Sequence, residues 1–258
     1  MSNIIISHDK KTKIITLTLN KQPLNICEKG FYTEIIEAIE KINSIDEDAA
    51  VVLMKSDCKH FCAGGELEEI QSCSTEKDIA VVAGTSIDAF EAIYHCRYPI
   101  VCAVNKLAIG AGTCIAACCD VVIAADNAQF SLREITAGYI GASEFLELML
   151  PHRLARYYIL TGSNISAQEM YRLGAVYDVV PADQLIKRAT EIATQIAEKS
   201  SPLALQYFKE CLNHNDNDCL KDKYMYESTY LMKYNASEDC KENYASIKER
   251  RKPVYKGR

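Results

Sequence analysis

Residues 49–67 begin with Ala49-Ala50-Val51-Val52-Leu53-Met54, pass through a polar stretch to Lys59, and continue as His60-Phe61-Cys62-Ala63-Gly64-Gly65-Glu66-Leu67. The opening run is apolar, rich in valine and bounded by polar residues, which predicts a short buried strand. Ala63-Gly64-Gly65 can form a tight turn of small residues, and Glu66-Leu67-Glu68 reads as the start of a helix. Strand, loop and helix make one β-α unit. Working outward, the cycle recurs: a helix over 79–96, a strand over Ile100–Val104, a Gly110-Ala111-Gly112 turn, a helix through Cys118, and a strand over 121–124. Alternation at this spacing argues for an α/β fold of stacked units with mainly parallel strands, not a sandwich. Upstream, residues 4–7 and Ile14–Leu19 flank a polar turn and read as a hairpin. Phe31, Ile35, Ile36, Ile39 and Ile42 then recur at helical spacing within 28–45. Beyond Pro151 helical patterns prevail. Ser166-Ala167-Gln168-Glu169 has the form of a capping box, 177–180 reads as the last strand, and the helical remainder holds a tyrosine-rich stretch over 224–234 and a basic tail over 248–253.

With 258 residues the chain can bury a substantial core. Its 48% apolar and 25% charged content is that of a folded protein, not a disordered one. The net charge of -6 and pI near 5.5 provide no basic footprint, so nucleic acid is not expected as the main partner. No apolar run reaches membrane-spanning length and no signal-peptide pattern opens the chain, so a cytoplasmic protein without a membrane partner is expected. The 12 cysteines are spread along a long chain and read as reduced thiols. Cys114, Cys118 and Cys119 place only two thiols on one helix face, with no CxxC and no suitably spaced histidine, so no metal is expected.

Both glycine-rich turns precede helices, where free main-chain N–H groups and the positive end of the helix dipole converge. Read as following strands directly, two such turns from neighbouring units could share one ligand oxygen between two N–H groups, forming an oxyanion hole. The plainer reading is that the glycines simply permit tight turns. Neither turn matches a dinucleotide GxGxxG or a Walker loop, because the third glycine and the Lys-Ser/Thr pair are missing.

Taken in order, the segments resemble the crotonase (enoyl-CoA hydratase/isomerase) superfamily. They are Leu19-Asn20-Lys21-Gln22-Pro23-Leu24-Asn25, His60 through Leu67, Pro99 through Asn105, Ile109-Gly110-Ala111-Gly112, and Cys119-Asp120 leading to Ala128-Gln129-Phe130. The order continues with Leu160-Thr161-Gly162, Arg172-Leu173-Gly174-Ala175-Val176 and Glu249-Arg250-Arg251-Lys252-Pro253. The resemblance spans essentially the whole chain. It implies a crotonase-like fold of stacked ββα units with a helical C-terminal region: a core over 1–195 carrying an acyl-CoA site, and a trimerisation region over 196–258. A homotrimer or dimer of trimers is implied, with coenzyme A entering as part of the substrate and no separate cofactor.

Residue by residue, the resemblance places the oxyanion-hole amides at Gly65 and Ala111. Gly64 and Gly110 lie in the same substrate-contacting turns, and main-chain groups near Pro23, Leu24, Ala63 and Leu67 would cradle pantetheine and adenine. Of the two hydratase glutamates, the later matches Glu134, whereas the earlier falls on Cys114, a departure from the two-acid arrangement. A thiol does not replace a carboxylate as general base without strong perturbation, so Cys114 reads as packing. A single carboxylate looks like the family's Δ3,Δ2-enoyl-CoA isomerases, with Glu134 as proton shuttle. Tyr139 and Glu144 lie in the segment that lines the acyl pocket in relatives. Glu144 is either a second catalytic carboxylate that restores hydration or a residue complementing a helix dipole. The alternatives are enoyl-CoA hydration, including that of cyclic dienoyl-CoA, another enolate reaction such as decarboxylation or thioester hydrolysis, and a non-catalytic acyl-CoA-binding scaffold.

Overall fold

A computed structural model describes residues 2–45, 49–66, 69, 76–134, 142–215 and 237–258. The chain opens with the hairpin β1 (Ile4–Asp9) and β2 (Ile14–Leu19), paired from Ile4↔Leu19 to Asp9↔Ile14. Helix α1 (Lys29–Asn43) crosses to β3 (Val51–Ser56), and α2 (Glu76–Tyr94) crosses to β4 (Ile100–Val104). After these come β5 (Leu107–Ile109), α3 (Ala111–Ala117), β6 (Val121–Ala125), β7 (Gln129–Ser131), α4 (Ser143–Met149), α5 (His152–Thr161), β8 (Ile165–Ser166), α6 (Ala167–Arg172) and β9 (Asp178–Val180). Helices α7 (Leu185–Lys199), α8 (Pro202–Asn215) and α9 (Glu238–Glu249) follow.

The main sheet has the order β1-β2-β3-β4-β6-β9, antiparallel only between β1 and β2. Helices cover its parallel part, which is why Val51 to Met54 and Ile100 to Val104 are unbroken apolar runs, all buried. Helix α1 buries Phe31, Ile35, Ile39 and Ile42 from the expected stripe, adding Tyr32 and Ala38, and packs on α2. Helix α7 lays Leu185, Ala189, Ile192, Ala193 and Ala197 against β3, β4 and β6. No helix among the described residues is long and apolar enough to cross a membrane.

Several local expectations need correction. A second sheet, β5-β7-β8, pairs β5 with β7 in parallel and β7 with β8 antiparallel. Its strands are three residues or shorter, too short for a periodicity to register. The Gly110 turn therefore follows β5, not Ile100–Val104. The Ala63-Gly64-Gly65 turn does not directly follow a strand either, because β3 ends at Ser56. The intervening backbone instead finds partners around the start of β5, with Phe61 N–H on Asn105 O (2.9 Å) and Cys62 N–H on Leu107 O (3.0 Å). Glu66 lies outside any helix, and Leu67 and Glu68 lie outside the described residues. Only half of the capping box forms. Ser166 Oγ accepts Glu169 N–H at 3.2 Å, while the Glu169 carboxylate takes both arms of Arg172 at 2.7 Å. The helix α7 runs unbroken through residue 195, so a division there falls inside one helix. The stretch 224–234 lies outside the described residues.

Candidate active site

The two glycine turns meet face to face, and the lack of side chains permits it. Gly64 has φ +105°, and a Cβ there would lie 3.0 Å from Ile109 O. Gly110 has φ +51°, and a Cβ there would lie 2.9 Å from Glu134 Oε1 and 3.9 Å from the Gly64 Cα. A Cβ on Gly112 would collide with the Cys62 carbonyl oxygen and lie 2.9 Å from the Cys62 Cβ. Bridges Cys27↔Gly65 and Cys62↔Ala108 lock the arrangement.

The bridging bonds decide which amides remain open. Cys27 N–H donates to Gly64 O (2.8 Å), Glu66 N–H to Cys27 O (2.7 Å) and Ala63 N–H to Leu24 O (3.0 Å), whereas Gly65 N–H makes no hydrogen bond among the described residues. Ala111 is the first residue of α3, so its N–H belongs to the helix's orphan donors and has no partner among the described residues. Both residues line one cleft of about 810 Å³.

Glu134 reaches this place through the second sheet. Register Ile109↔Ser131 brings the end of β7 beside the start of the Gly110 turn. The buried Thr113 pins the two together: its hydroxyl lies 2.7 Å from Ala108 O, to which it donates, and accepts Ser131 N–H at 3.2 Å. Gly110 N–H adds a bond to Ser131 O at 2.8 Å. Three residues on, the Glu134 carboxylate lines the cleft with Oε2 buried and without a hydrogen bond. Burial pushes its pKa above the ordinary carboxylate value, and its own main-chain N–H draws it only part of the way back.

The Cys114 thiol beside Glu134 stays protonated. Burial holds the Cys114 pKa well above the ordinary thiol value, and the Glu134 carboxylate adds to the effect. This supports reading Cys114 as packing and not as a base. Cys27 and Cys62 bring their sulfurs to 3.5 Å as a thiol hydrogen bond, and both are reduced. The buried Asn25 ties the two loops beneath them. Its amide nitrogen donates to Ser56 Oγ and Phe61 O at 2.8 Å each, and its Oδ1 accepts Lys21 N–H at 2.8 Å.

The structure thus brings Ala63, Gly64, Gly65, Gly110, Ala111, Glu134 and Glu144 onto one cleft. Glu144 is exposed in the first turn of α4 and lines the cleft. Pro23 is exposed and, like Leu24, does not line this cleft, although Leu24 holds Ala63 through its carbonyl. Leu67 and Tyr139 lie outside the described residues. Sequence reasoning missed the apolar wall. Tyr32 meets Phe90 edge-on at 5.8 Å, and Phe90 meets Phe145 at 4.9 Å. These residues come from α1, α2 and α4, so no local pattern announces their meeting. Thr113 did carry a signal, as a hydroxyl inside an otherwise small apolar helix.

The profile described as enoyl-CoA hydratase/isomerase matches residues 9–258. The chain is 31% identical over 263 residues to the 2,3-dehydroadipyl-CoA hydratase of Escherichia coli K12, with all of both proteins covered. It is 30% identical over 240 residues to the (7aS)-7a-methyl-1,5-dioxo-2,3,5,6,7,7a-hexahydro-1H-indene-carboxyl-CoA hydrolase of Rhodococcus jostii RHA1, covering 93% of this chain and 92% of that protein. Among solved structures, an enoyl-CoA hydratase from Bacillus anthracis superposes with a TM-score of 0.91 at 28% identity over the full length of both chains. Glycine turns, second sheet and carboxylate cleft therefore sit on the crotonase-like fold, and the chain belongs to the enoyl-CoA hydratase/isomerase family of the crotonase superfamily.

Proposed function

We propose that the chain is an acyl-CoA enzyme whose Gly65 and Ala111 amides hold the oxygen of a thioester enolate while Glu134 moves a proton. The observation that carries this reading is the Glu134 carboxylate, buried at Oε2 without a partner and standing against the turn that presents the Ala111 amide. Two N–H donors on the thioester oxygen acidify the α-proton and stabilise the charge that develops when it leaves. A carboxylate with a raised pKa lies closer to neutrality, where it takes and returns a proton most effectively. In Δ3,Δ2 isomerisation Glu134 would remove the proton from C2 and deliver it to C4 of the dienolate. A thiol at Cys114, where the family resemblance places the earlier hydratase glutamate, favours this single-carboxylate chemistry.

Hydration is the second reading. The exposed Glu144 lines the same cleft and could position water opposite Glu134. The hydratase name of the Escherichia coli relative is compatible with it. Absorbance at the enoyl-thioester band separates the two: loss with crotonyl-CoA reports hydration, and gain with a 3-enoyl-CoA reports isomerisation. Ala111→Pro tests the hole itself. Ala111 is the first helical residue, where proline is well tolerated, so the substitution removes an N–H without breaking the helix. Turnover is expected to fall by about 10²–10³-fold. A folded, fully active variant would remove Ala111 from the hole.

A further inference from the structure

The described lining of the cleft includes the apolar Cys27, Val82, Ile87, Phe90, Cys114 and Phe145, together with the phenol of Tyr32. Tyr32 is 6% exposed, lines the cleft, and makes no hydrogen bond through its hydroxyl among the described residues. Its oxygen is not among the sealed, unpartnered polar atoms, so it keeps contact with open space, and the cleft is the space Tyr32 lines. The ring is fixed edge-on against Phe90 at 5.8 Å, and Phe90 is held by Phe145. The titratable groups that act on it are Cys27, Cys62, Cys114 and Glu69. The serine hydroxyl that lines the cleft, Ser86, donates to Ala83 O at 2.9 Å.

Once an acyl group displaces water from the cleft, a phenol left without a partner is costlier than phenylalanine of the same shape. In a pocket serving plain hydrocarbon chains, phenylalanine would fill the position without that cost. We infer that Tyr32 is a specificity-determining hydrogen-bond donor, and that the acyl group this cleft accepts carries an uncharged oxygen acceptor such as a ring carbonyl. This inference rests on the acyl-CoA reading and narrows its substrate class. Burial pushes the Tyr32 pKa far up, so the group remains a donor at any working pH and selects an acceptor. An uncharged acceptor fits better than a carboxylate tail. The cleft already presents Glu66, Glu69, Glu134 and Glu144 against a single arginine, Arg133, among its described lining residues.

The test is calorimetric titration of wild type and Tyr32→Phe with three saturated esters that cannot turn over: cyclohexanecarbonyl-CoA and its 3-oxo and 4-oxo derivatives. Wild type is expected to bind at least one oxo ester about five- to ten-fold more tightly than the parent, the increment of one hydrogen bond. Tyr32→Phe is expected to lose that preference while binding the parent equally well or better, which also shows that the variant is folded. A wild type that favours the parent, or a variant that keeps the oxo preference, overturns the inference and leaves the acyl-CoA reading standing. If no ester binds wild type, the acyl-CoA reading fails and this inference falls with it.

Discussion

The Glu134 carboxylate and the Gly110 backbone are so close that one added Cβ on Gly110 would come within 2.9 Å of Glu134 Oε1. The glycine preceding the Ala111 amide thus also makes room for the Glu134 carboxylate, and one position bears on both parts of the proposed site. The Gly110 backbone, at φ 51° and ψ -116°, suits glycine only. Gly110→Ala is expected to cost about 1–3 kcal/mol in backbone strain. Because the obstructing atom is the end of a flexible side chain, the fold survives and Glu134 moves. Misplacement of this kind typically costs about 10²-fold in turnover. Thermal unfolding alongside kcat would check it: a folded variant with wild-type kcat would show that Glu134 need not occupy its observed position.

Glu134 must be ionised to accept a proton, and burial raises its pKa above the ordinary 4.5. Activity should therefore climb with pH through that raised value, so the acidic limb of kcat/KM lies above the ordinary glutamate range. Glu134→Gln should lower turnover by about 10²–10⁴-fold and abolish the limb, with acyl-CoA affinity retained. A limb that persists in the glutamine variant would assign it to another group.

The same shift has a consequence for stability. A carboxylate whose pKa is raised on folding binds its proton more tightly in the folded state than in the unfolded one. Stability contributed by the protonated form is full below the unfolded pKa and is lost as pH rises through the folded one. Wild type and Glu134→Gln should therefore have similar Tm well below pH 4.5 and diverge above it, with the glutamine variant the more stable at neutral pH. Equal Tm values across the range would contradict the burial of Glu134.

Gly112 poses a different problem, because its backbone is ordinary helix and only space is lacking. A Cβ there would strike the Cys62 main chain, which the Cys62↔Ala108 bridge holds in place. Gly112→Ala is expected to destabilise by about 1–3 kcal/mol or more through overpacking. In Gly30→Ala nothing lies within 4 Å of the new Cβ, so this substitution within α1 is the matched control and should be neutral or stabilising. Denaturant midpoints for the pair would separate crowding from loss of glycine as such.

How far such features could be read from sequence depended on their length scale. Ile100–Val104 is five consecutive apolar residues and announces a buried strand, and Gly64, Gly65, Gly110 and Gly112 announce close backbone approach. The sheet that carries Gly110 did not, because Leu107–Ile109 and Gln129–Ser131 are too short to show alternation. Glu134 was legible only by family position. What makes it a plausible base, burial against Gly110, is a relation between the end of β7 and a turn that no local pattern encodes. Tyr32 fell next to the apolar stripe of α1 and carried no mark of its exposure to the cleft. The aromatic wall it joins is assembled from separate helices.

Lys209 illustrates a long-range relation with a measurable energy. Its side chain is 4% exposed and its ammonium donates to Asp120 Oδ2 at 2.8 Å and Tyr98 O at 3.2 Å, while the same Oδ2 accepts Ile100 N–H at 2.7 Å. One carboxylate thereby secures α8 to the start of β4. Asp120→Ala leaves a buried cation without its counter-ion and a strand amide without its acceptor, and should cost about 3–5 kcal/mol. Lys209→Met removes the cation and fills the space with an apolar chain of similar length, leaving Asp120 partly exposed to water at 23%. The double variant should therefore recover much of the loss, because replacing both members of a buried pair is often near neutral. Chemical denaturation of the two single variants and the double variant closes the cycle. Strict additivity would mean that Asp120 and Lys209 do not act as a pair.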